Sequence, residues 1–174
     1  VIDEAMKVTS YGSLLKVCKD LLHEKIPIID MLTIIEAIAD IAEFTKAPEI
    51  LLEHVRAKLY RLITQKFKDT DGILHIVTIK PELEQQFIGK LQEHHGVSQL
   101  MISIAEINNL VTKTKKLLDD IEAKGFSKVI MVVDPVLRKR ISEIYEKFGL
   151  QVSVLSHAEL DSKANFAIEG TLEF

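Results

Sequence analysis

The run Lys128-Val-Ile-Met-Val-Val-Asp134-Pro135 constrains the fold more than any other stretch of the chain. Its apolar, mostly β-branched residues are too few for a helix and suit a buried strand that ends at an acidic cap. A helical pattern follows until Gly149, and Val152-Ser-Val-Leu-Ser156 returns to strand character. Strand, helix and strand in close succession imply an α/β module with a mostly parallel sheet and helices on its faces.

The pattern before this module differs. Residues 1–68 show helical periodicity throughout. Ser10 or Ser13 can cap a first helix whose apolar face carries Leu14, Leu15, Val17, Cys18, Leu21 and Leu22. Pro27 breaks it, because proline lacks an amide donor and disfavours helix at the preceding residue. Asp30 caps a second helix with Met31, Ile34, Ile35, Ile38 and Ile41 on one stripe. A long third helix starts near Thr45 and Pro48 and turns Ile50, Leu51, Val55, Leu59, Leu62, Ile63 and Phe67 inward. Three amphipathic helices on short turns form a small bundle.

The sequence Asp69-Thr-Asp71-Gly72 is a turn signal and marks the expected boundary between domains at 1–68 and 69–174. Beyond it, 73–79 reads as a strand, and Pro81 opens a helix that is expected to run to about His94. Residues 97–102 fit either a short strand or a loop. Ser103 and Glu106 have capping-box spacing, and Gly125 is placed to stop the helix behind them. The terminal stretch 165–174 has no crossover helix before it, so an antiparallel edge strand is expected there. The fold class is therefore α/β, α+β overall: an N-terminal three-helix bundle followed by a small, mostly parallel α/β sandwich.

With 174 residues, 47% of them apolar, the chain can bury a sizeable core as one large or two small domains. A net charge of −4 with dispersed basic residues argues against a nucleic-acid partner. The lone Cys18 has no internal disulfide partner and sits at a core-like helical position. No secretory signal is visible, and no apolar run approaches a membrane span. The chain opens on Val1 without a methionine and is expected to be a fragment.

Individual residues suggest chemistry without converging on it. Asp134 ends a buried strand at the carboxyl edge of a parallel sheet, where α/β proteins place their sites. It suits a phosphoacceptor or nucleotide-binding module, but a helix cap ahead of Pro135 explains both residues with no further partner. A receiver-type site would also need an acidic pair after the first strand, where Thr78-Ile79-Lys80-Pro81 stands instead. Asp69 and Asp71 fit a turn better than a cation loop. The six histidines show no metal-ligand spacing, and no serine elbow or phosphate-cradling glycine loop is present. Lys113, Lys115 and Lys116 read as a solvated helix face beside Asp119 and Asp120. No catalytic, cofactor or metal site emerges, and the chain is read as a non-enzyme.

Four segments, in order, carry a resemblance. They are Leu22-His-Glu-Lys-Ile26-Pro27-Ile28-Ile29-Asp30 continuing through Glu36-Ala37-Ile38-Ala39-Asp40; Thr45-Lys46-Ala47-Pro48-Glu49-Ile50-Leu51; Pro81-Glu82-Leu83-Glu84-Gln85; and Val154-Leu155-Ser156 with Glu159-Leu160. Together they resemble the C-terminal part of the flagellar and type III secretion export-gate family, the FHIPEP family. The chain departs from that family's usual residues at Ile29, His157, Ala158 and Asp161.

The resemblance implies a soluble domain on the cytoplasmic face of the bacterial inner membrane, touching the membrane only through an N-terminal half absent here. It also implies a non-catalytic ring that docks export chaperone–substrate complexes and other export-apparatus subunits, including a separate ATPase complex, with no cofactor of its own. The expected ring contact lies within 30–66. Glu36, Asp40 and Glu43 on one helix would face Arg56, Lys58 and Arg61 of a neighbouring copy, head to tail. The alternative reading of those charges is a solvated surface.

Overall fold

A computed structural model describes residues 11–174. The expected cap Ser10 lies outside the described residues, and Ser13 lies inside the first helix, α1 (Tyr11–His23). The amide of Ile26 bonds back to Leu21 O at 2.8 Å past Lys25, which adopts the left-handed conformation and ends the helix. Helix α2 (Met31–Ala42) starts where Asp30 accepts from the amide and hydroxyl of Thr33. Helix α3 (Pro48–Lys58) begins on its proline.

The expected long third helix is two helices. It breaks at the buried Leu59, with φ −87° and ψ 19°, and α4 (Tyr60–Phe67) follows. In α4 the Thr64 hydroxyl donates to Glu159 O and accepts from Asp161 N. The break is one residue long and amide bonds run from Leu59 to Val55 and from Ile63 to Leu59, so the apolar periodicity continues through it.

The sheet combines β1 (Ile73–Ile79), β4 (Val129–Val133), β5 (Ser153–Ser156) and β6 (Asn165–Leu172) in the order β5-β4-β1-β6. All of its pairings are parallel. The terminal strand is therefore parallel to β1, not antiparallel. A three-residue 3₁₀ turn (His157–Glu159) and the loop after it carry the chain across the sheet without an α-helix.

Helix α5 (Pro81–Ile88) stops earlier than its sequence suggests. The residues expected to continue it form a hairpin, β2 (Leu91–His94) with β3 (Val97–Leu100). Its turn residues His95 and Gly96 both have positive φ, which matches the twist of a two-residue hairpin. A Cβ on Gly96 would lie 3.0 Å from Ala47 Cβ, so the hairpin tip sits close against the α2–α3 loop. Helix α6 (Ile104–Ala123) opens on the Ser103–Glu106 capping box, and α7 (Pro135–Lys147) links β4 to β5.

Alternation along the strands builds a core on each face of the sheet. Leu74, Ile76, Ile130, Val132 and Leu155 pack against α1–α4 through Leu21, Ile34, Ile38, Leu52, Val55 and Ile63. Val77, Met131, Val133, Val154 and Leu172 pack against α5, α6 and α7 through Phe87, Leu110, Leu137, Ile141 and Tyr145. The helical part therefore shares its core with the sheet, and the turn at 69–72 separates the two in sequence.

Candidate interaction surface

The outward stripe of α2 runs Leu32, Glu36, Asp40, Glu43, at helical spacing. The matching stripe on α3 and α4 runs Ile50, His54, Lys58, Arg61. The two stripes meet where His54 Nε2 approaches Asp40 Oδ2 at 3.5 Å. Glu36, Glu43, Lys58 and Arg61 are exposed, and the Arg61 guanidinium lies 5.3 Å over the Tyr60 ring. Large apolar side chains flank the acidic stripe. Ile29 is 79% exposed and Phe44 85%. Charged residues framed by exposed apolar anchors are the composition of a protein interface.

Arg56 does not belong to this surface. It is buried on the opposite face of α3, so its expected role opposite a neighbouring copy is corrected. Its Nε and Nη2 donate to Glu159 at 2.7–3.1 Å. Helical periodicity decides this, since Arg56 follows Val55 on the inward side of α3.

Arg56 joins a buried ionic hub. Arg138, on α7, has no solvent exposure. Its Nε and Nη2 bond Glu53 at 2.6–3.0 Å, and its Nη1 and Nη2 bond Glu24. Glu159 lies 3.5 Å from Arg138 Nε. Three carboxylates thus face two guanidinium groups, and the hub ties α1, α3, α7 and the crossover together. Burial alone would raise the Glu24 carboxyl, but the Arg138 charge holds it below its ordinary value. Burial pushes the Glu53 carboxyl up against the pull of Arg138. The sequence offered one sign of this hub, the spacing of Ser156 and Glu159. Glu159 does accept from Ser156 N at 3.2 Å, and its guanidinium partners are remote in sequence. Nearby, Arg140 on α7 bonds Glu49 on α3 at 2.6 Å and reaches Ser98 O on β3.

The other candidates have local roles. The Asp134 side chain accepts from Val136 N at 3.0 Å and caps α7. Its own amide donates to Glu84. Asp69 holds a turn by accepting from the amides of Asp71 and Ile73. Lys115 pairs with Asp119 one turn along α6, and Lys113 donates to Glu173 O. Among the described residues, no group of three or more His, Cys, Asp or Glu side chains could hold a metal ion. Nor is any helix among them long and apolar enough to cross a membrane.

Comparison with known proteins adds three findings. The FHIPEP family pattern matches residues 1–165. The flagellar biosynthesis protein FlhA of Helicobacter pylori is 40% identical over 99% of the chain, and that of Escherichia coli 30% identical over 95%. The chain spans about a quarter of these relatives, 24% and 23% of their lengths. Among solved structures, the nonameric SctV-C of EPEC superimposes with a TM-score of 0.85, at 20% identity, over 98% of the chain and 51% of its own. The CdsV protein in the Chlamydia pneumoniae CdsV–CdsO complex gives 0.85 at 20% identity, over 98% and 50%. At such identities these structures establish the fold.

Proposed function

Because the chain belongs to the FHIPEP family, we propose that it is a cytoplasmic part of the flagellar type III export gate. In this reading it acts through surfaces and not through catalysis. The observation that carries the proposal is the division of its charged residues. Those on the inside pair with one another in the hub, and those on the outer stripes of α2–α4 remain exposed beside Ile29 and Phe44.

The helical part, 1–68, would supply a head-to-tail contact between copies. Glu36, Asp40 and Glu43 of one copy would meet Lys58 and Arg61 of the next. The nonameric state of EPEC SctV-C supports a ring. The α/β part, 69–174, would hold the helical part at a fixed angle through the hub. Docking of export chaperones, substrates or other apparatus subunits is supported by the complex that CdsV forms with CdsO. Attachment to the inner membrane would come from other parts of the full-length protein. The capping role of Asp134, whose Oδ1 accepts from Val136 N, supports the non-enzymatic reading over a reactive carboxylate there.

A pull-down from flagellated cells, with this chain as bait and mass-spectrometric identification, tests the docking role. Recovery of export chaperones, substrates or export-apparatus subunits is the expected result. Recovery of none, from bait whose circular dichroism shows it folded, would overturn docking by this chain.

A further inference from the structure

His75 lies on β1, 7% exposed, with a carboxylate on each ring nitrogen. Nδ1 is 2.9 Å from Glu169 Oε1 on β6, and Nε2 is 2.6 Å from Asp69 Oδ2 in the turn before β1. Phe126 stacks on the ring at 4.4 Å. Ionised carboxylates only accept hydrogen bonds, so both ring nitrogens must carry protons to satisfy this geometry. The ring is then an imidazolium, and either neutral tautomer would turn a lone pair toward one of the two acids.

The two acids belong to structures that need a fastening. Asp69 organises the turn between the helical part and the sheet. Glu169 is the extra residue of a bulge, since Ile76 pairs with Ile168 and Val77 with Gly170. Strand β6 is also an edge strand, with Phe166 and Ile168 more than half exposed. Apart from its ladder with β1, its described backbone anchor is at the far end, where Lys80 N donates to Leu172 O.

We propose that His75 is the pin of a proton-dependent latch. As an imidazolium it fastens the first half of β6 to the 69–72 turn, and on losing its proton it lets that half of β6 loosen. The charged groups around it are Asp69 and Asp71 from the turn, Glu169 from β6, and Lys128 at the approach to β4. Lys128 directs its Nζ to Lys68 O. The α6–β4 connection contributes the uncharged Phe126.

The bond to Glu169, then that to Asp69, hold the imidazolium above its ordinary pKa against the effect of burial. A raised value fixes the sign. The latch contributes its full stability below about pH 6.5, the value for an unfolded histidine, and loses it as pH rises through the folded-state pKa. Loosening frees the paired edge of β1 and the joint beside it, so the stiffness of the connection between the helical and α/β parts follows pH.

NMR titration of the His75 ring in this chain, with amide-exchange protection measured in β6 and β4, tests the latch. The expected midpoint lies above pH 6.5. Between pH 6.5 and that midpoint, β6 protection factors fall by up to about tenfold per pH unit and level off above it while β4 stays protected, as release of one proton requires. Glu169→Gln, which keeps the shape of the side chain, should lower the midpoint and flatten the response of β6. A midpoint at or below 6.5, or β6 protection that tracks β4 across the midpoint, would overturn the proposal.

Discussion

The two edge strands of the sheet are secured in opposite ways. Strand β5 is short and buried over Val154, Leu155 and Ser156, and it runs directly into the hub around Glu159. The cations there are Arg56 and Arg138, which keep their charge at every pH a cell meets. Strand β6 is twice as long, exposed along much of its length, and held at Glu169 by a histidine. One edge is fastened permanently and the other conditionally. Such a contrast suits a body that must keep its helical part in place while one margin of its sheet answers to conditions.

The largest effect should come from breaking the permanent edge. Arg138→Ala leaves Glu24 and Glu53 without their guanidinium, a change that costs about 3–5 kcal/mol at buried pairs. Urea denaturation should show the loss. A pH series would sharpen the result, because the lowered Glu24 carboxyl contributes stability above about pH 4.3 that is lost as pH falls through its folded value. The variant should lack that part of the acid limb.

Breaking the conditional edge should cost less, and only on one side of a pH boundary. Glu169→Gln leaves an acceptor for Nδ1–H but removes the negative charge beside the ring, a loss of about 1–1.5 kcal/mol at pH 6. The difference from wild type should shrink in alkaline buffer. Denaturation midpoints at pH 6 and pH 9 give the comparison, and an equal loss at both values would contradict the conditional reading.

Asp134→Ala touches neither edge and should cost about 1 kcal/mol, the usual effect of losing a helix cap. Asp134→Asn, which retains a capping oxygen, should recover most of it. Thermal melts of the two variants distinguish a cap from a reactive carboxylate. The smallest effect on stability should follow charge reversal at Lys58 and Arg61, within about 0.5 kcal/mol, since both are exposed.

Legibility in the sequence followed the range of each interaction. Asp30, Asp134 and the Ser103–Glu106 box act within a few residues, and their roles can be read from spacing. The buried run 129–133 declared itself by composition. The hub could not be read this way, because Arg56 and Glu159 are 103 residues apart and a lone arginine on a helix looks like surface. The hairpin at 91–100 hid for another reason. The two-residue turn has His95 where asparagine, aspartate or glycine usually signals a hairpin, and the preceding residues carry as much helical as strand character. The direction of β6 was misread because a parallel crossover is ordinarily helical, whereas here a 3₁₀ turn and loop suffice. Periodicity assigned the exposed stripes of α2 and α3 to helices and also sets Arg56 beside Val55 on the inward face, but charge alone groups it with the outward Lys58 and Arg61.

The most direct test of the account asks whether the outer stripes join copies of this chain. Sedimentation velocity should be run on wild type, on Glu36→Lys with Glu43→Lys, on Lys58→Glu with Arg61→Glu, and on the chain carrying all four changes. The account predicts concentration-dependent self-association of wild type, its loss in either reversal of one sign, and its return when both signs are exchanged. Self-association that ignores all the reversals, or a wild-type chain that stays monomeric at every concentration, would contradict it.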